Sequence, residues 1–173
     1  MKKYVSGTGS PMYYAARIAK EKYPDAKIVF VGPCVAKRKE AQRDEAVDFV
    51  MTFEEISSIF DAFEINLEIV QPYAMEFSSV REAHGFAQAG GVMGAVKAFL
   101  KMEADKINAI QVSDLNKKNI GTLRAYAKSG KAPGQFIEVM ACEGGCITGP
   151  STHSGSNGKR QLVQELAKQE KTY

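Results

Sequence analysis

Apolar positions along the chain switch between runs and helical stripes, and the switches mark out its elements. Residues 1–9 are polar and glycine-bearing and read as a loop. Ser10-Pro11 then supplies an N-cap followed by proline at the first helical position. Met12, Ala15, Ala16, Ala19 and Tyr23 continue as a helical stripe that Pro24 ends. Ile28 to Val31 is an all-apolar run, the pattern of a strand covered on both faces, and it stops at Gly32-Pro33-Cys34. Lys37 to Asp44 is highly charged and reads as a solvated turn or short helix. Val47 to Met51 predicts a second strand. Thr52-Phe-Glu-Glu55 is a capping box opening a helix with Phe53, Ile56, Ile59, Phe60 and Phe63 on its apolar side.

Asn66 to Val70 offers a weaker strand, and an irregular segment follows to about Ser78. From Ser79 to Glu103 a helical pattern is interrupted by Gly85 and Gly90-Gly91. Glycine inside a helix costs about 1 kcal/mol relative to alanine, so a break or a close packing contact is expected there. Ile107 to Val112 predicts another strand, Asp114 an N-cap, and Ile120, Leu123, Tyr126 and Ala127 a helix ending near Gly130. Phe136, Ile137, Val139 and Met140 form a strand that delivers Cys142 and Cys146 into a loop with Gly144, Gly145 and Gly149. Lys159 to Lys171 closes the chain as a helix with Leu162, Val163 and Leu166 inward. The alternation predicts an α/β fold, a mostly parallel β-sheet flanked by helices, in one domain over residues 1–173. In such a sheet, sites form beyond the carboxyl ends of strands, so Cys34 and the Cys142–Cys146 loop are placed to share one pocket.

Composition narrows the chemistry. At 173 residues, 45% of them hydrophobic and 25% charged, the chain has enough apolar surface for a core, which argues against disorder. Its 23 basic and 20 acidic residues give a net charge of +3 and are interspersed along the chain. That is an ordinary solvated surface, which speaks against nucleic acid as a partner. No apolar run approaches the roughly 18 residues of a membrane span, and the start lacks a signal peptide's apolar segment, so a cytoplasmic setting is expected.

In that setting three cysteines point to thiols, metal ligands or a nucleophile rather than a disulfide framework. Two thiols around a glycine pair suit soft metal chemistry. The residues alone leave other readings open: a small buried hydrophobe, a zinc site of Cys34, Cys142, Cys146 and His153, or a nucleophilic cysteine served by His84 or His153.

Longer motifs carry a resemblance. Gly32-Pro-Cys-Val-Ala-Lys-Arg-Lys-Glu40 resembles the second signature of the [FeFe]-hydrogenase large-domain family, and Glu138-Val-Met-Ala-Cys-Glu-Gly-Gly-Cys146 resembles its third. Between them, Phe86-Ala-Gln-Ala-Gly-Gly-Val-Met93 is similar to the family's glycine-bearing helix beside the active site. The resemblance implies an iron-only-hydrogenase-like lobe with an H-cluster: a [4Fe–4S] cubane joined through a bridging thiolate to a two-iron subcluster. Cys34 and Cys142 match cubane ligands, and Cys146 matches the bridging ligand. Lys37 matches the lysine that contacts a cyanide of the diiron group, a role suited to a compact ammonium. Met140 and Phe86 match residues walling the diiron pocket, and Ser10-Pro11 matches a segment near the site. The implied activity is reversible H2 oxidation and proton reduction, with electrons exchanged with a ferredoxin-like carrier or iron–sulfur domains of the same parent.

Three departures accompany the resemblance. The family's first cysteine signature is absent, Gly32 stands where catalytic members carry methionine, and Ile147-Thr148-Gly149-Pro150 replaces a glycine triplet. The last two resemble divergent branches associated with hydrogen sensing. The first implies the carboxyl-terminal part of a longer domain, carrying no or incomplete cluster and inactive alone. The alternative is a non-catalytic iron–sulfur protein or a redox-sensing module.

Overall fold

The computed structural model describes residues 2–71, 73, 80–153 and 155–169. They fall into two compact units. The N-terminal unit draws on Ser6–Tyr73 and Pro150–His153, and the C-terminal unit on Met1–Val5, Ala74–Gly149 and Ser154–Tyr173.

In the N-terminal unit, helix α1 (Pro11–Lys22) starts where the sequence places it, with Ser10 extended and its Oγ accepting from Tyr13 N at 3.3 Å. Strand β1 (Val29–Val31) pairs in parallel with β2 (Phe49–Met51), setting Val29 opposite Phe49 and Val31 opposite Met51. Helix α2 (Ala36–Ala41) lies between the strands, and α3 (Phe53–Ala62) follows them behind a capping box in which Thr52 and Glu55 satisfy each other's backbone N–H. Met12, Ala16 and Val47 are buried, with Ile28, Phe30, Ala41, Ala46 and Val50 packed on them.

Two carboxylates pin this core. Asp48 accepts from Ile28 N at 2.8 Å and Lys27 Nζ at 2.9 Å, and these bonds hold its carboxyl down at about 2. Asp44 closes the charged segment, yet it is buried rather than solvated. Arg17 Nη1 lies 3.0 Å from each of its oxygens, and that hydrogen bonding lowers the carboxyl below its ordinary value.

Three expectations are corrected here. Residues 66–70 form turns and no strand, because Asn66 bends the chain by accepting from Glu68 N at 2.9 Å. The β1–β2 pair is not covered on both faces, since Val29, Val31 and Phe49 are exposed. Ile59 and Phe63 are likewise exposed, so the apolar side of α3 is only partly packed.

In the C-terminal unit, α4 (Arg81–His84) tightens into a 3₁₀ turn at Gly85–Ala87, and α5 (Gly91–Leu100) starts anew at the glycine pair, the break the sequence predicts. Strand β3 (Ala109–Ser113) runs parallel to β4 (Phe136–Met140), with Ser113 opposite Met140. Helix α6 (Lys117–Ser129) joins them and ends at Gly130. Its cap is Asn116, not Asp114. Asn116 Oδ1 accepts from Asn119 N at 2.9 Å, while Asp114 takes φ 71° and accepts from the Asn116 amide at 2.8 Å. Helix α7 (Gly155–Lys168) starts earlier than its apolar stripe and buries Leu166.

The architecture is α/β with parallel strands flanked by helices, as expected, but among the described residues the strands form two pairs, one in each unit. Among the described residues no helix is long and apolar enough to cross a membrane.

Candidate functional site

Cys142 and Cys146 follow β4 directly, in a loop held by its neighbours. Leu115 N donates to Ala141 O at 3.2 Å, which carries the β3–β4 pairing one step past the strands. Ser113, the last residue of β3, donates its hydroxyl to Cys142 O at 3.3 Å and accepts from Gly144 N at 2.9 Å. Inside the loop Gly145 N reaches back to Cys142 O at 3.1 Å, and Thr148 Oγ1 donates to Gly145 O at 2.9 Å. From outside, Ala89 N donates to Gly144 O at 3.0 Å.

Gly144 and Gly145 take φ 80° and 103°, conformations that L side chains rarely adopt. At Gly145 space is lacking as well, because a Cβ would lie 2.6 Å from the Gln88 carbonyl carbon. The Gly85–Ala87 turn packs against the Cys146–Thr148 turn, so Phe86 sits beside the second cysteine's segment. Met140 ends β4 two residues before Cys142. This unit therefore gathers Cys142, Cys146, Met140 and Phe86, all half-buried.

Glu138 is the strand's other polar feature. It is 4% exposed, and its two oxygens accept from Gly90 N at 2.6 Å and Met93 N at 2.7 Å.

The remaining predicted residues belong to the N-terminal unit. Cys34 is half-buried just beyond β1, and its carbonyl accepts from Lys37 N at 3.2 Å as α2 begins. Gly32 is the position where methionine was expected of catalytic members, and the Phe30 ring fills that space, lying 2.7 Å from where a Cβ would stand. Lys37 Nζ donates to Glu40 Oε2 at 2.6 Å, and Ser10 Oγ donates to the other oxygen of the same carboxylate. Burial raises the Glu40 carboxyl, but the bonds from Lys37 and Ser10 outweigh it, and the group lies below its ordinary value. Lys37 and Ser10, matched separately in the sequence, thus meet through a residue assigned no role there.

Within either unit, among the described residues, no three His, Cys, Asp or Glu side chains converge to hold a metal ion. Of the zinc set the sequence left open, Cys34 and His153 belong to the N-terminal unit and Cys142 and Cys146 to the C-terminal unit. The His153 ring nitrogen pairs with Ser57 Oγ at 2.9 Å. His84 Nδ1 lies 3.1 Å from Gln169 Oε1.

The loop and its supports define a class. Residues 1–150 match the sequence model of the iron only hydrogenase large subunit, C-terminal domain, and the chain belongs to that family. Among curated relatives it is 26% identical to the cytosolic Fe-S cluster assembly factor narfl of Danio rerio, over 96% of this chain and 54% of that protein. It is 28% identical to iron hydrogenase 1 of Clostridium pasteurianum, over 84% of this chain and 33% of that protein. The chain thus spans about half or less of these relatives' length. A solved [FeFe]-hydrogenase, described for oxygen inactivation at its H cluster, superposes with a TM-score of 0.64, covering 98% of this chain and 61% of that one at 23% identity. A second, described for stepwise H-cluster assembly, gives 0.61 over 94% and 60% at 22% identity. Both likenesses establish the fold.

Proposed function

We propose that this chain is an iron–sulfur-holding part of an [FeFe]-hydrogenase-like protein, with Cys34, Cys142 and Cys146 as its thiolate ligands. The supporting observation is the Cys142–Cys146 loop. Its backbone is fixed by Ser113, Ala89 and Thr148, so two soft sulfur donors stand on a loop whose form the protein itself maintains. Thiolates of this kind fit an iron–sulfur group by donor chemistry. An H-cluster held there would supply reversible electron exchange between H2 and protons. Cys34, Cys142 and Cys146 would hold the group, Met140 and Phe86 would wall its pocket, and Lys37 would offer its ammonium to an anionic ligand. A ferredoxin-like carrier or iron–sulfur domains of the parent bring electrons, in the cytoplasm.

A second reading is a non-catalytic iron–sulfur protein. The Lys37–Glu40 pair favours it, because an ammonium already neutralised at 2.6 Å has less to offer a diiron ligand.

The test is anaerobic reconstitution with iron and sulfide counting and EPR on wild type and on Cys34→Ala, Cys142→Ala and Cys146→Ala. A cubane signal weakened in all three variants supports the shared cluster. A signal indifferent to Cys34 removes that ligand from the proposal. H2 evolution from reduced viologen, assayed on the longer parent after maturation, separates the two readings.

A further inference from the structure

We infer that Glu138 is a positioning residue for the Cys142–Cys146 loop, acting by clamping the start of helix α5. Strand β4 is otherwise Phe, Ile, Val and Met, so a buried acid in its middle needs a compensating partner set. It has one. Both oxygens accept backbone N–H groups, from Gly90 and Met93, in the first turn of α5. That helix has a glycine at its cap position and no side-chain cap of its own. The carboxylate supplies from a neighbouring strand what serine or aspartate supplies locally at other helices, and it faces the positive end of the helix dipole.

The consequence reaches the cysteines by a closed path. Glu138 lies on β4 four residues before Cys142, which the strand leads into, and the helix start that it holds follows directly on Gln88–Ala89. Those two residues abut the cysteine loop, Ala89 N donating to Gly144 O at 3.0 Å and Gln88 filling the space over Gly145. Strand, helix start and loop therefore brace one another. A glutamine at 138 would turn a donor toward one of the two N–H groups and open the circuit at that point.

The inference rests on the reading of this loop as the ligand loop, but its test uses the metal-free full chain. Iodoacetamide alkylation under native conditions, resolved by site with mass spectrometry, reports how often each thiol is presented. In Glu138→Gln, Cys142 and Cys146 are expected to react about tenfold faster, the order by which losing one buried acceptor shifts a local opening equilibrium. Cys34, in the other unit, keeps its rate and serves as the internal control. Glu138→Asp, which keeps both acceptor oxygens, is expected to return the loop cysteines toward the wild-type rate. Unchanged rates at Cys142 and Cys146, a parallel rise at Cys34, or no recovery in Glu138→Asp would each overturn the role. A failure of the cluster reading shows instead in the reconstitution experiment and leaves these rates untouched.

Discussion

Lys37 and Glu40 stand one helical turn apart on α2 with Nζ and Oε2 separated by 2.6 Å, and the second oxygen of Glu40 takes the hydroxyl of Ser10, the cap of α1. One carboxylate thereby ties the turn after β1 to the start of α1 and sets where the ammonium points.

That carboxylate gives a pH signature. Glu40 is depressed from its ordinary 4.5, so its contribution to stability is present above about pH 4.5 and disappears as pH falls through its lower folded value. Glu40→Gln is expected to cost about 0.5 to 1 kcal/mol at pH 7, a modest figure because the side chain is 36% exposed. The gap between variant and wild type in urea unfolding should narrow between pH 5 and pH 3. A gap of constant size across that range would remove Glu40 from the acid limb.

Gly145→Ala meets both a left-handed backbone and the Gln88–Ala89 backbone. The expected loss is about 2 to 4 kcal/mol. Gly121→Ala makes the comparison, since Gly121 sits inside α6 with open space where a Cβ would go. There alanine should stabilise by about 0.5 to 1 kcal/mol. Chemical denaturation of the two variants should move in opposite directions.

Ser113→Ala removes the hydroxyl that bridges Cys142 O and Gly144 N. The Gly144 amide should then exchange with solvent roughly tenfold faster, and iron retained after reconstitution should fall. Ser113→Thr keeps the hydroxyl and should keep most of the protection.

Thr52→Ala deletes half of the α3 capping box at a residue that is 4% exposed. A loss of about 1 kcal/mol is expected in the unfolding free energy. Because Thr52 lies in the N-terminal unit, alkylation at Cys142 should not change with it.

Much of this fold was legible along the chain because its signals are local. Ser10-Pro11, the Thr52–Glu55 box and Gly130 act within a few residues, and the helices begin or end at them. The splitting of the strands into two pairs was not, since pairing partners are chosen by packing over long separations. At the site the same division holds. The cysteines, the glycine pair, Phe86 and Met140 lie in contiguous motifs, whereas Ser113 bonds across 31 residues and Glu138 across 48. Glu138 did leave a trace, an acid among apolar strand positions, which asks for a buried partner without saying where it is. Asp114 misled for the converse reason. It and Asn116 are both good caps, and the helix takes the later one.

The glycine pair between the cysteines carries a last consequence. Both residues take positive φ, and Gly145 is further confined by Gln88 and Ala89 of its own chain. Replacing either cysteine leaves that constraint in place, whereas replacing Gly145 meets it directly. Gly144-Gly145 is thus a mark of the fold itself, set by backbone geometry and not by what the cysteines on either side hold.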